Sequence, residues 1–200
     1  MAQSEAGGPR GTIDAGRVRE AALTTFARVG FHGSSMGQVA ALLGVRAPSL
    51  YNHMASKDLL LEEIVLATAE QVWRDFEDAV RTERTPERRL WAAVRVYALR
   101  HATHPREAVI VNRDARSLAP PARDRALALL RRHERGVRGL IEAGVANGRF
   151  GTEHPALVSF GVLEMCVSVA KWFDGGGDRS AAEVAEIYAD YALRMAGARD

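Results

Sequence analysis

The sequence predicts an all-α protein, and three observations carry that reading. Apolar residues recur at three- and four-residue spacing through most of the chain. No stretch alternates with period two between turn signals, which leaves no candidate strand. Ala, Leu, Arg and Glu dominate, all good helix formers. Pro86, Pro105, Pro120-Pro121 and Pro155 each stand at the head of a periodic stretch, where a first helical turn tolerates proline. They punctuate a chain of about nine antiparallel helices.

Residues 1–11 are Gly-rich and aperiodic and are read as a disordered leader. The first helix runs from about Asp14 to Val29, with Val18, Ala21, Ala22, Thr25, Phe26 and Val29 on one stripe and Gly30 ending it. Ser35 with Gln38 three residues on is a capping box. It opens a short helix whose inner face is Met36, Val39, Ala40 and Leu43, broken by Gly44. A third short helix spans Ala47 to Met54, with Leu50 and Met54 inward. Ser56-Lys57-Asp58 then start a longer helix to about Arg81. Further helices are expected at about 86–103, 106–118, 121–147, 155–173 and 180–197, the last two separated by the loop Asp174 to Asp178.

The chain has 200 residues, 47% hydrophobic and 26% charged, enough to bury a sizeable core. Its one cysteine, Cys166, excludes a disulfide framework and a cysteine zinc site. The apolar window Leu157 to Phe173 is interrupted by Ser159, Glu164, Ser168 and Lys171, so no membrane span is expected. The N-terminus shows no apolar signal region, which predicts a cytoplasmic location. The formal net charge of +2 resides in the first 60 residues, where six basic side chains face four acidic ones. Such a bias suits an N-terminal segment that meets an anion.

The block Ser35 to Lys57, SMGQVAALLGVRAPSLYNHMASK, is a short helix, a Gly-centred turn and a second short helix: a helix-turn-helix. In such a unit one helix braces a second whose exposed N-terminal half enters the DNA major groove. The second helix is too short to be stable alone, so packing must hold it while its polar face stays free for a partner.

The block resembles the DNA-binding domain of TetR-family transcriptional repressors. Phe26 to Phe31 (FARVGF), Ser35 to Ala40 (SMGQVA) and Gly44 to Leu60 (GVRAPSLYNHMASKDLL) match the family's three successive phrases over roughly residues 13–60. The resemblance implies a helix-turn-helix domain over 12–58 and a helical ligand-binding and dimerisation domain over 59–200. It implies that Ser35 caps the second helix and offers its hydroxyl or backbone N–H to a phosphate. Tyr51, His53 and Lys57 would contact phosphates, with Arg46 at the mouth of the recognition helix. Ala47, Pro48 and Ser49 would lie against base edges, with Asn52 as a polar reader of adenine. Gly37 stands where many members carry a polar base contact, and Met54 replaces the usual aromatic. A half-buried core tyrosine at Tyr51 and solvated surface roles for His53, Asn52 and Arg46 are the competing readings.

In the remainder, the stretch Leu157 to Phe173 is apolar on most of its circumference and must be covered nearly all round. The last helix carries the stripe Val184, Ile187, Tyr188, Tyr191, Ala192 and Met195. Two such helices suit an isologous homodimer interface, the alternative being burial within one subunit. Trp73, Phe76, Trp91 and Tyr97 fall on helices that line the cavity in relatives, and His101, Asn112, Arg113, Asp114 and Glu164 are polar residues in apolar context. Glu164 also reads as an exposed or ion-paired helix residue. The C-terminal half is similar to actinobacterial members governing lipid breakdown, some of which answer to acyl-CoA thioesters. Leu163 to Val167 lacks the Arg/Trp pair that grips the coenzyme there, so the effector is read more safely as a small hydrophobic molecule.

No P-loop, GxGxxG, HExxH or GxSxG phrase is present, so an enzyme is not expected. His101 and His104 have ligand spacing but no matched acidic or cysteine partner, so neither metal nor cofactor is expected. The resulting reading is a dimeric, ligand-responsive repressor of a palindromic operator. The rival is a helical small-molecule-binding or protein-interaction module without DNA binding.

Overall fold

A computed structural model describes residues 14–52 and 54–198. The leader 1–11 and His53 lie outside the described residues. Within them the chain forms nine α-helices: α1 (Ala15–Val29), α2 (Met36–Leu42), α3 (Ala47–Leu50), α4 (Lys57–Arg81), α5 (Pro86–Thr103), α6 (Pro105–Asp114), α7 (Ala122–Ala146), α8 (Pro155–Trp172) and α9 (Ala181–Ala196). A 3-10 turn, Ala115–Ser117, follows α6 and takes the end of the helix expected over 106–118.

Helix starts follow side-chain chemistry. Asp14, Ser35, Ser56, Thr85 and Ser180 each accept the orphan N–H three residues on, and Ser35 and Ser180 complete capping boxes with Gln38 and Glu183. The end of α2 is a Schellman turn: Gly44 takes φ +68°, and the Val45 N–H reaches the Ala40 carbonyl at 3.1 Å. α3 is shorter than its expected span to Met54. It closes after one turn, and the Met54 N–H returns to the Leu50 carbonyl at 2.9 Å.

Two apolar clusters hold the fold. The first joins Val18, Leu23, Phe26, Val39 and Leu50 of the N-terminal unit to Leu60, Leu61, Ile64 and Val65 of α4 and to Ile110 and Val111 of α6. The second joins the far half of α4 (Val72, Phe76, Val80) to α5, α7, α8 and α9. Packing therefore runs across residue 58 without a break, with α4 shared by both clusters. Val29, placed on the inner stripe of α1, is 40% exposed because the helix ends there.

The expectation for α8 needs correction. Only Ser159, Val162, Cys166 and Val169 are buried, while Leu157, Phe160 and Trp172 are exposed. Its own chain covers one face, not the whole circumference. By length and composition α8 does qualify as a membrane span, with a mean hydropathy of 1.3 over 18 residues. The stripe of α9 also divides: Val184, Ala185, Ala189, Ala192 and Ala196 turn inward, whereas Tyr191 and Met195 face out beside α8. The two helices approach closely at Gly161, where a Cβ would meet Met195 Cε at 2.8 Å.

Candidate nucleic-acid interface and effector cavity

The N-terminal unit presents a polar face on a rigid base. Leu50 is fully buried and anchors α3, while Arg46, Pro48, Tyr51 and Asn52 are exposed and Ala47 and Ser49 half-buried. Tyr51 is 54% exposed, which rules out the core-tyrosine reading. Met54 is half-buried and packs on the first cluster in place of an aromatic.

Two expected phosphate groups are engaged inside the protein. The Ser35 backbone N–H donates to Gln38 Oε1 at 2.8 Å, so of its two groups only the hydroxyl proton is left for a phosphate. Lys57 Nζ donates to the carbonyls of Phe31 and Ser34, both at 2.9 Å, and lies 4.2 Å from the centre of the Phe31 ring. Those carbonyls follow α1 and precede α2, where no helical donor reaches them. Lys57 thus ties the start of α4 to the turn that aims the helix-turn-helix, a role the motif alone did not reveal.

A second tie comes from α6. Arg113 Nη2 donates to the Phe26 carbonyl at 2.5 Å and to Asp114 Oδ2 at 2.8 Å, capping the C-terminal end of α1. Gly30, at φ +78°, leaves room there, and an added Cβ would lie 3.8 Å from Arg113 Cζ. Arg106, at the other end of α6, bonds Thr24 Oγ1 and Glu20, both at 2.9 Å. Arg113 and Asp114, noted in the sequence as polar residues in apolar context, are joints between helices.

The opposite face of α6 borders a cavity of about 200 Å³ between α4, α5, α6, α7 and α8. Thr68, Ala69 and Val72 of α4 line it with Tyr97, Arg100 and His101 of α5 and His104 of the α5–α6 junction. Glu107, Ala108, Val111 and Asn112 of α6 face Leu130, His133 and Glu134 of α7, and α8 closes the wall with Phe160, Leu163, Glu164 and Val167. Of the seven expected ligand residues, Tyr97, His101, Asn112 and Glu164 are on this wall. Trp73, Phe76 and Trp91 are not. Trp73 stacks on His133 at 5.7 Å under the Arg132 guanidinium, and with Phe76 it borders a separate surface groove beside Arg74 and Arg81. Trp91 is drawn to α9 by a 2.9 Å bond from Nε1 to Asp190. The helical wheel places these aromatics on the right helices, but side-chain partners choose their side.

Sequence reasoning missed Thr68, Arg100, His133 and Glu134. The i, i+3, i+4, i+7 spacing of Tyr97, Arg100, His101 and His104 was the available signal. Burial pushes the Tyr97 hydroxyl pKa up and the His101 pKa down, and it lowers His133 to about 4. Both imidazoles are therefore neutral near pH 7. His101 Nδ1 lies 2.7 Å from the Tyr97 carbonyl and His133 Nε2 lies 3.0 Å from that of Ala69. A carbonyl only accepts, so these nitrogens carry the ring protons and the other two are acceptors.

A helix-turn-helix unit packed on a helical bundle with an internal cavity defines the class of ligand-responsive DNA-binding regulators. Comparison with known proteins agrees. Residues 18–64 match the family of bacterial regulatory proteins, tetR family, and residues 83–196 match the tetracyclin repressor-like, C-terminal domain. The chain is 26% identical over 175 residues to the HTH-type transcriptional repressor KstR2 of Rhodococcus jostii (strain RHA1), covering 86% of this chain and 85% of the relative. It is 30% identical to the TetR family transcriptional regulator PfmR from Thermus thermophilus, at a TM-score of 0.78 over 89% of this chain and 97% of that one. The fold also matches AibR, solved in complex with isovaleryl coenzyme A and operator DNA, at a TM-score of 0.80, 20% identity, and coverage of 92% and 99%. The chain belongs to the TetR family, whose members are DNA-binding transcription regulators and not enzymes.

Proposed function

We propose that this protein is a cytoplasmic, ligand-responsive repressor that binds a palindromic operator as a homodimer and is released when a small molecule enters the α4–α8 cavity. The observation that carries it is the exposed face Arg46–Asn52 held on a fully buried Leu50. Two relatives support the reading: KstR2 is a transcriptional repressor, and AibR is seen with an acyl-CoA and operator DNA. In this proposal residues 12–58 read the DNA and 59–200 sense and pair. Ala47, Pro48, Ser49 and Asn52 meet base edges, while Tyr51, His53, Arg46 and the Ser35 hydroxyl meet phosphates. Lys57 acts from behind, by fixing the turn.

The outward faces of α8 and α9, with Leu157, Phe160, Trp172, Tyr191 and Met195, form the dimer interface. A second copy covers what one chain leaves bare and sets two α3 helices about 34–36 Å apart. Coupling runs through α6 and α4. α6 lines the cavity with Glu107, Ala108, Val111 and Asn112 and grips α1 through Arg106 and Arg113. α4 carries Lys57 at one end and Thr68 to Val72 on the cavity.

The test is fluorescence anisotropy on the DNA upstream of the protein's own gene and on random DNA, across salt concentrations, with sedimentation in parallel. Dimers with sequence-selective, salt-dependent binding are expected. A monomer that shows no preference between the two DNAs would remove the proposal and restore the interaction-module reading.

A further inference from the structure

The cavity wall has a hydrogen-bonding and charge pattern of its own. Thr68 and Tyr97 are 5% and 3% exposed, yet Thr68 Oγ1, the Tyr97 hydroxyl and Arg100 Nε have no hydrogen-bond partner among the described residues. Orphaned buried polar atoms are costly and are normally paired. Three on residues lining one cavity imply that something else supplies the partner. All three offer an N–H or O–H. The proton-free nitrogens of His101 and His133 add acceptors on the same wall.

The wall's charge points away from an anion. It carries three carboxylates, Glu107, Glu134 and Glu164, against one guanidinium. Arg100 already pairs with Asp75 at 3.3 Å, and Glu134 accepts from Arg138 at 2.8 Å. Glu107, buried, and Glu164, exposed, have no ion-pair partner among the described residues. An incoming carboxylate would meet two unneutralised like charges without a free cation. The space of about 200 Å³ suits a compact molecule.

We infer that the cavity takes a compact, uncharged, oxygen-bearing molecule of the ketone or alcohol class, its oxygen accepting from Tyr97 and Thr68. This rests on the cavity being the effector site. A hydroxyl ligand uses the wall doubly, accepting from these groups and donating to an imidazole.

The experiment is calorimetry of the full-length protein, free and bound to its operator, with 2-heptanone, 1-heptanol, heptanoate and isovaleryl-CoA. The ketone and alcohol should bind the free protein at least tenfold more tightly than heptanoate. Tyr97→Phe with Thr68→Val should weaken them about tenfold while leaving the ligand-free melting temperature unchanged or raised, because the deleted hydroxyls bond nothing in the protein. Glu107→Gln with Glu164→Gln should improve heptanoate binding alone. Heptanoate or isovaleryl-CoA binding as tightly as the ketone, or no binding by either neutral probe, overturns the inference. A drop in melting temperature for the hydroxyl variant overturns it too, by showing those groups to be structural. If the anion or thioester releases operator while the neutral probes do not bind, the inference falls and the regulator stands. If a neutral probe binds free and operator-bound protein equally, the regulatory reading falls and the cavity's ligand class stands.

Discussion

The two ends of α4 treat buried polar groups in opposite ways. Around its N-terminus each one is engaged inside the protein: Thr25 donates to the Ala21 carbonyl, Ser34 to that of Phe31, Lys57 to two carbonyls, and Asp114 holds Arg113. Farther along, Thr68, Trp73, Tyr97 and Arg100 each keep an unpartnered donor, and all four belong to the bundle around the cavity. A unit that must present one fixed surface to DNA gains by satisfying everything internally, because preorganisation lowers the cost of binding. On the proposed reading, a chamber that responds to a molecule gains by keeping donors open until that molecule arrives. The contrast is also one of cover: α3 is anchored by a residue with no exposed surface, while α8 leaves three large apolar side chains bare.

Four changes break or sharpen this contrast, taken from the largest expected effect. Leu157→Glu with Tyr191→Glu places charge on the bare face. The dimer should dissociate by sedimentation, with operator affinity falling by at least about 10²-fold as the bivalent advantage is lost. An intact dimer would show that the cover lies elsewhere. Arg113→Met removes the cap on α1 and strands the buried Asp114 carboxylate. It should cost about 2–3 kcal/mol in denaturant unfolding, less than a fully buried pair because Arg113 is partly exposed. Adding Asp114→Asn should restore part of that loss, since no uncompensated charge then remains.

Acid comes next. His133 is neutral and buried, with its pKa lowered from 6.5 to about 4. Between those values the unfolded chain binds the proton and the folded one does not, so stability falls as pH drops below 6.5. From pH 6.5 to 5 that one group should cost about 2 kcal/mol, and His133→Gln should flatten the dependence in a melting series. His101, shifted the same way, adds to the slope. Lys57→Met is the smallest. Loss of the tie should weaken specific and random DNA binding alike by about 1–2 kcal/mol, with the salt slope unchanged. A slope lower by about 1 would instead make Lys57 a phosphate contact, the role its motif position suggests.

The sequence by itself determined the elements and the family. Capping residues, prolines and apolar spacing are local, and each helix begins within a residue of where those signals place it. The reading unit was legible for the same reason: its residues lie within one stretch of the chain, so their spacing is their geometry. Only the tertiary structure decided what lies between helices. Trp73, Phe76 and Trp91 fall on helices that line the cavity in relatives, but Trp73 packs behind the wall on His133 and Asp190 draws Trp91 to α9, both partners distant in sequence. Arg113 read only as a polar residue in apolar context until α1 ended against it, and the ties of Lys57 to the Phe31 and Ser34 carbonyls could not be read from its motif position. A helix fixes which face a residue occupies. What that face meets depends on partners 23 to 99 residues away, and no local pattern encodes them.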